Sequence, residues 1–421
     1  MRTWTAPALS KLPGKGQAPR LWNTPTQRLE HPATPNGTGK LYACGITPYD
    51  STHIGHAFTY LTYDLLQRAW IDAGITPEYT QNITDVDDPL FERARATGVN
   101  WKDLAEEQIG LFRSDMYQLN MLPPKHFYEV SEVVEEIGQA VYKLQQKGLA
   151  YEVDTPDSEY GNDIYFDLEA ADRATQWRLG DVAPYDYDAF TTLFRERGGD
   201  PDREGKRDPL DPLVWKAGRA NEPFWETIAG VGRPGWHIGC AVIATKTLGP
   251  TLSVQAGGDD LIFPHHELSA ATACALTGTP LAHLYSHTAP VAYEGHKMSK
   301  SRGNLVFVSK LLDRGHEGAA IRLALLTHHY RSGFEWQDSE IALAETRLAN
   351  WREGYTRRTA QPQSVRSVLE QLRSALANDL DTPLMLALID AAWITGVDQP
   401  DLFVDVIHTL LGVDMRSAGN K

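Results

Sequence analysis

The sequence predicts an α/β protein, a Rossmann-like parallel sheet interrupted by an inserted connective region and followed by a C-terminal helical bundle. Residues 40–43, 53–73 and 78–83 read as strand, helix and strand in that order, a right-handed parallel crossover. Two short apolar runs, 149–153 and 164–168, flank an Asp/Pro/Gly-rich segment and read as an inserted hairpin. From residue 305 onward the apolar pattern is mostly helical.

Residues 1–37 are rich in Pro, Gly, Thr and Asn without a sustained period and are expected to form an extended lead-in. Residues 38–148 should hold the first half of the nucleotide-binding sheet. In its helix Phe58, Leu61, Leu65 and Ala69 share one face, and Gly74 supplies the stop. Helices are expected at 101–119 and 129–147, the second ended by Gly148. The hairpin and a polar loop containing Glu196, Arg197, Gly198, Gly199, Asp200 and Pro201 fill 149–213. The second half, 214–304, should carry strands at 253–255 and 283–291 around a helix at 265–276. The C-terminal region, 305–421, has its best helices at 318–328 and 340–352.

A chain of 421 residues is too long for one core and suggests two or three domains. With 42% hydrophobic and 23% charged residues it has the composition of a globular chain. Forty basic against 55 acidic residues leave a net charge of -15, whose average field repels nucleic acid. No run is long and apolar enough to span a bilayer, and residues 1–21 lack the apolar core of a signal peptide. A cytoplasmic monomer is expected. Cys44, Cys240 and Cys274 are odd in number and far apart, which suits metal ligation or packing better than a disulfide framework.

The strongest local signal is His53-Ile54-Gly55-His56, at the start of a helix that follows a strand. Helix N-termini present N–H groups and a positive dipole end to phosphate. Gly55 leaves room for a nucleotide against the backbone, and His53 and His56 can donate to phosphate oxygens as charge grows on them. Downstream, Lys297-Met298-Ser299-Lys300-Ser301 lies between Gly295 and Gly303. Lysines on such a loop can close over a triphosphate.

A third group is Cys44, Cys240 and His265. Two thiolates and an imidazole suit Zn2+ and leave the fourth tetrahedral position for a substrate thiol. From the residues alone, small buried apolar side chains remain an equal reading for Cys44 and Cys240. His237 and His266 stand as alternative ligands, and Cys274, inside an apolar helix, reads as packing.

The paired histidine and lysine signatures resemble those of the class I aminoacyl-tRNA synthetases, HIGH and KMSKS, and both are present without substitution. Cys44-Gly45, Tyr49-Asp50, Asn82 to Asp88, Trp236-His237 and Pro264-His265-His266-Glu267 further resemble the cysteinyl-tRNA synthetases, over roughly residues 20–335. That resemblance implies zinc on Cys44, Cys240 and His265, with ATP over His53, Gly55 and His56 and with Lys297 and Lys300 closing on its phosphates. It implies that the adenylate also touches Cys44, Gly45, Ile46, Thr47, Thr59, Asn82, Ile83, Thr84, Trp236, Gly258, Asp259, Asp260 and Val291. Two features depart from that family: the position of its fourth zinc ligand, a Glu, is Ser269, and Ile46-Thr47-Pro48 replaces its Pro-Thr-Val turn.

Both departures, together with Thr47 to Asp50, Gln81 to Pro89 and Glu196 to Pro201, resemble the cysteine:glucosaminyl-inositol ligases of mycothiol biosynthesis. The resemblance implies one Zn2+ per subunit, ATP with Mg2+, activation of L-cysteine as its adenylate, and transfer to the amine of glucosaminyl-inositol. Asp85, Asp87, Asp88 and Asp200 are candidates for the base that deprotonates this amine.

The main rival is a true cysteinyl-tRNA synthetase. Some 80 residues follow position 340, with few basic clusters, and Arg352, Arg357 and Arg358 read as a solvated face, so tRNA is not expected as a partner. A catalytically silent binding module is a third reading, against which the intact signatures argue.

Overall fold

The computed structural model describes residues 1–298 and 303–416. Its centre is a five-stranded parallel sheet with Thr38–Ala43 in the middle. Thr76–Ile83 and then His126–Glu129 lie on one side of it, Leu252–Gly258 and then Ala282–Thr288 on the other. The order of the chain therefore reverses between Thr38–Ala43 and Leu252–Gly258, and at their carboxyl ends such sheets open a crevice.

The expected crossover helix is Ile54–Ala73, stopped by Gly74 in the left-handed conformation. The helix expected from residue 129 starts later. Glu129 ends the strand His126–Glu129, a single 3-10 turn follows over Val130–Val133, and the helix runs Val134–Gln146. A four-residue parallel edge strand carries too little alternation to stand out in sequence. The helices Asp88–Thr97 and Trp236–Leu248 were also not anticipated. The second is buried on nearly every face, so it shows no amphipathic period.

The inserted hairpin forms in the expected place, Ala150–Val153 against Asp163–Phe166 with Tyr151 opposite Tyr165. Its sheet extends past residue 213, the expected end of the insertion. Leu213–Ala217, Gly230–Pro234 and Trp225–Thr227 join it in that order, all antiparallel. Residues 170–213 are not only loop, since Leu168–Ala174 and Tyr187–Glu196 are helical there. The N-terminal lead-in is also more ordered than expected. Leu21–Asn23 and Arg28–Glu30 pair, and the buried Trp4 donates to the Met121 carbonyl at 2.8 Å.

The C-terminal region is helical as expected, with Gly318–Leu326, Asp338–Thr356, Val365–Ala377, Thr382–Thr395 and Pro400–Leu411. It is bound to the catalytic sheet through a buried charge cluster on the crossover helix. Asp64 accepts from Arg68 at 2.7 Å, from Arg322 and from the Leu122 backbone. Arg322 also donates to the Leu119 and Leu411 carbonyls, and Arg68 to those of Asn120, His408 and Thr409. Burial alone would raise the Asp64 carboxyl, but Arg322 and Arg68 hold it below its ordinary value. Among the described residues no helix is long and apolar enough to cross a membrane.

Removing one partner from a buried ion cluster leaves uncompensated charge, at a cost of about 3–5 kcal/mol. Arg322→Met should therefore lower the stability of the whole chain by that order in urea unfolding. A midpoint equal to that of the unsubstituted chain would show that the cluster does not hold the bundle.

Candidate active site

A cleft of about 400 Å³ opens at the carboxyl ends of the central strands, where the chain order reverses. Cys44, Gly45, Ile46, Thr47 and Thr84 line it on one side, and Gly258, Asp259, Asp260 and Val291 on the other. The helices contribute His53, Gly55, His56, Thr59, Trp236, Cys240 and His265. Asn82 and Ile83, expected to touch nucleotide, lie buried beneath this surface.

Asn82 has a structural task there. Its Oδ1 accepts from the Gly45 N–H and the Tyr42 hydroxyl, each at 3.0 Å, and its Nδ2 donates to Thr84 Oγ1 at 3.1 Å. A Cβ at position 45 would overlap the Asn82 carbonyl, so the strand ends can approach this closely only with glycine there.

The histidine signature forms as a helix start, with one correction to its expected role. His53 is the N-cap, and its Nδ1 accepts from the backbone N–H groups of Gly55 and His56 at 3.1 and 3.4 Å. Two of the N–H groups expected to face phosphate are thus already satisfied by an imidazole. The capping bond assigns the His53 proton to Nε2, which makes that nitrogen a donor. His53 and His56 stack with centroids 3.7 Å apart. A Cβ on Gly55 would come within 2.9 Å of the His53 ring, so this glycine makes room for the cap as well as lining the cleft.

The downstream signature reaches the same wall. Residues 296–297 pair with the strand Val291–Tyr293, Lys297 opposite Ala292, and Met298 lines the cleft. Lys300, with Ser299 and Ser301, lies outside the described residues. Just beyond, the Ile54 N–H donates to the Val306 carbonyl at 2.8 Å and the Val308 N–H to the Thr52 carbonyl at 3.0 Å. The chain leaving the lysine loop is thereby bonded to both sides of His53.

Cys44, Cys240 and His265 come together as expected. All three are buried, and their ligand atoms lie within 4.8 Å of one another. Burial and the neighbouring Cys240 push the Cys44 thiol up, while the hydrogen bond from Cys44, with His265 beside it, holds Cys240 well below the ordinary thiol value. Two buried sulfurs beside an imidazole make a donor set that fits a soft or borderline dication such as Zn2+. Ser269 is no fourth ligand, because its hydroxyl donates to the His237 carbonyl at 3.1 Å.

The alternative ligands lie one step outside this set. His237 Nδ1 is 3.1 Å from His265 Nδ1, and His266 Nε2 is 3.2 Å from Cys44 Sγ. His266 Nδ1 is bonded in turn to His287 Nε2 at 2.8 Å, and His287 Nδ1 to Thr24 Oγ1 at 2.6 Å. Burial keeps His237, His266 and His287 neutral, with His287 pushed down to about 3. Trp236 stacks on His265, with ring centroids 4.4 Å apart. Cys274 is buried in the helix Glu267–Thr277, as packing requires.

Several cleft residues were not singled out from sequence. Tyr60, one turn after His56 and donating to the Cys44 carbonyl at 3.2 Å, was detectable from helical spacing. Thr288, whose hydroxyl bonds that of Thr59 at 2.8 Å, is the last residue of the strand Ala282–Thr288 and carries no local signal. Outside the cleft lining, Arg197 of the Glu196–Pro201 segment donates to the Asp260 and Phe263 carbonyls and holds the Gly258–Asp260 turn. Among the acidic candidates, Asp200 pairs with Tyr165 of the inserted sheet and with the loop residue Lys206, and it does not line the cleft. A larger cavity, about 620 Å³, lies among the C-terminal helices and contains neither signature.

Cleft and sheet together are those of a class I synthetase catalytic domain. The family described as tRNA synthetases class I (C) catalytic domain matches residues 31–346. The chain is 50% identical over 424 residues to the L-cysteine:1D-myo-inositol 2-amino-2-deoxy-alpha-D-glucopyranoside ligase of Clavibacter michiganensis subsp. michiganensis, covering 99% of both chains. To the ligase of the same name from Micrococcus luteus it is 48% identical, covering 99% of this chain and all of the other. Among solved structures, Mycobacterium tuberculosis methionyl-tRNA synthetase in complex with methionyl-adenylate superposes with a TM-score of 0.62 at 14% identity, covering 89% of this chain and 92% of that one. This last likeness is one of fold. The chain belongs to the class I tRNA synthetase (C) catalytic-domain family and, within it, to the family of these cysteine ligases.

Gly45→Ala should force the ends of Thr38–Ala43 and Thr76–Ile83 apart. Overpacking of this kind costs about 1–3 kcal/mol, to be read as a lowered midpoint in urea unfolding. An unchanged midpoint would show that the Gly45–Asn82 contact is not the constraint described.

Proposed function

We propose that this protein is an ATP-dependent carbon–nitrogen ligase that activates L-cysteine as cysteinyl-adenylate and transfers it to the amine of 1D-myo-inositol 2-amino-2-deoxy-alpha-D-glucopyranoside. AMP and diphosphate are released in this step of mycothiol biosynthesis. The observation that carries the reading is the Cys44–Cys240–His265 group inside the same cleft as the His53–His56 helix start. The acceptor follows from the names of relatives about 50% identical over the full chain.

Cys44, Cys240 and His265 would hold a zinc ion, which would supply a Lewis acid that prefers a thiolate to a hydroxyl and so would tell cysteine from serine without an editing domain. Trp236 and Thr47 flank the amino acid. The Gly258–Asp260 turn and Val291 hold adenosine, while His53 Nε2–H and His56 face the phosphates as charge grows on them. Lys297 and Lys300 are assigned to the ATP phosphates, with Mg2+ accompanying ATP. The cysteine carboxylate then attacks the α-phosphorus, diphosphate leaves, and the acceptor amine attacks the resulting carbonyl carbon.

Transfer RNA is not a partner in this reading, and the chain acts as a cytoplasmic monomer. In support, Arg352 is paired with Glu317, Arg357 donates to the Ile394 carbonyl and Arg358 to that of Tyr355, so these arginines are engaged within the bundle. Offered ATP, cysteine, the amino sugar and tRNA together, the enzyme should yield the cysteinyl amide of the amino sugar by mass spectrometry. Cysteinyl-tRNA as the main product would reverse the assignment of the acceptor.

A further inference from the structure

Aminolysis of an acyl adenylate requires a nitrogen lone pair, whereas a primary amine at neutral pH enters largely as ammonium. Of the carboxylates that follow the strand Thr76–Ile83, two are already committed. Asp85 faces away from the cleft and accepts from the Ser131 N–H at 3.0 Å, in a separate hollow beside Glu129 and Arg113. Asp88 is paired with Arg233 and Lys216 from the inserted sheet. Burial works against its charge, but these two cations hold its carboxyl below the ordinary value.

Asp87 differs from both. It caps the helix Asp88–Thr97 through Oδ1, which accepts from the Asp88 N–H at 3.0 Å. Its Oδ2 accepts at 3.2 Å from the hydroxyl of Thr47, a residue of the cleft wall. Tyr49, also in the cleft wall, feels its charge. A cap carboxylate is ordinarily favoured as an anion by the helix N-terminus. Here burial, with Asp88 alongside, outweighs the help from Thr47 and Arg233 and pushes the carboxyl up to about 6. That value is close to what a base working at neutral pH requires. Asp259 and Asp260 also line the cleft, but on the Gly258 turn across from Thr47, where the nucleotide is proposed to sit.

We propose that Asp87 receives the ammonium of the acceptor at the Thr47 side of the cleft and is the base that frees its lone pair. The proposal rests on the ligase reading above. One N–H proton passes to the Asp87 carboxylate, the nitrogen lone pair forms the C–N bond, and the C–O bond to phosphate breaks with its electron pair leaving on AMP. The second proton of the new amide nitrogen is lost to solvent, and Asp87 later releases its own to solvent.

The test is Asp87→Asn in the full chain, since asparagine caps a helix as well as aspartate does, and with Oδ1 kept on the Asp88 N–H its Nδ2 faces Thr47 Oγ1 as a donor in place of the accepting Oδ2. Cysteine-dependent ATP–pyrophosphate exchange reports adenylate formation, and rapid-quench transfer to glucosaminyl-inositol reports the second step. The variant should keep exchange and accumulate cysteinyl-adenylate, with transfer slowed roughly 10²–10⁴-fold. In the unsubstituted enzyme the transfer rate should rise with pH through a midpoint near 6, as the Asp87 carboxyl loses its proton among Asp88, Arg233, Tyr49 and Thr47. The variant should lack that limb. Asp200→Asn, in the loop after Tyr187–Glu196 and bonded to Tyr165, should change neither step. Transfer by Asp87→Asn at the parental rate, or a parental profile without the acid limb, would overturn the proposal. Absence of cysteine-dependent exchange in the unsubstituted enzyme would instead overturn the ligase reading itself.

Discussion

The site depends on how closely two parallel strands meet at their carboxyl ends, and Asn82 sets that approach. One buried amide holds Tyr42 of Thr38–Ala43, Gly45 just past the end of that strand, and Thr84 on its own side. Its Oδ1 also lies 3.7 Å from Cys240 Sγ on the helix Trp236–Leu248. A buried polar group is costly unless satisfied, so this side chain has few other arrangements open to it. Cys44 is one residue from the joint, and Thr47 and Thr84 are close to it. The donors for sulfur and the wall of the nucleotide cleft are therefore placed by the same interaction.

Around this joint the structure divides its tasks. Neutral histidines behind Cys44 and beside His265 fill the space around the donor set without adding charge, which keeps the two sulfurs and one imidazole as the distinctive chemistry. Ser269 bonds a backbone carbonyl where the cysteinyl-tRNA synthetases carry a Glu ligand, so among the described residues the donor group is Cys44, Cys240 and His265. The inserted sheet contributes from a distance. Arg197 braces the Gly258–Asp260 turn, and Arg233 with Lys216 neutralises Asp88, leaving Asp87 the carboxylate with fewer cationic neighbours.

Much of this was legible in sequence because the signals were local. The strand–helix–strand order around His53, the stop at Gly74 and the inserted hairpin each rest on short-range pattern. The Cys44, Cys240 and His265 group was legible through residue chemistry joined to family resemblance. The helix Trp236–Leu248 was not, since full burial erases its period, and neither was the strand His126–Glu129, which has too few residues to alternate. The capping role of His53 was hidden because histidine is an uncommon N-cap. Asn82 was expected to touch nucleotide, yet it lies beneath the cleft, a distinction of depth that needs three dimensions.

The central claim is that the Cys44–Cys240–His265 corner selects substrate by accepting sulfur. Cobalt(II)-substituted enzyme tests it most directly, because sulfur-to-cobalt charge-transfer absorption reports each thiolate bound. Added cysteine should intensify that band while serine leaves it unchanged, and a Cys44→Ala chain should show no response to cysteine. A band indifferent to cysteine in the unsubstituted chain would contradict the account.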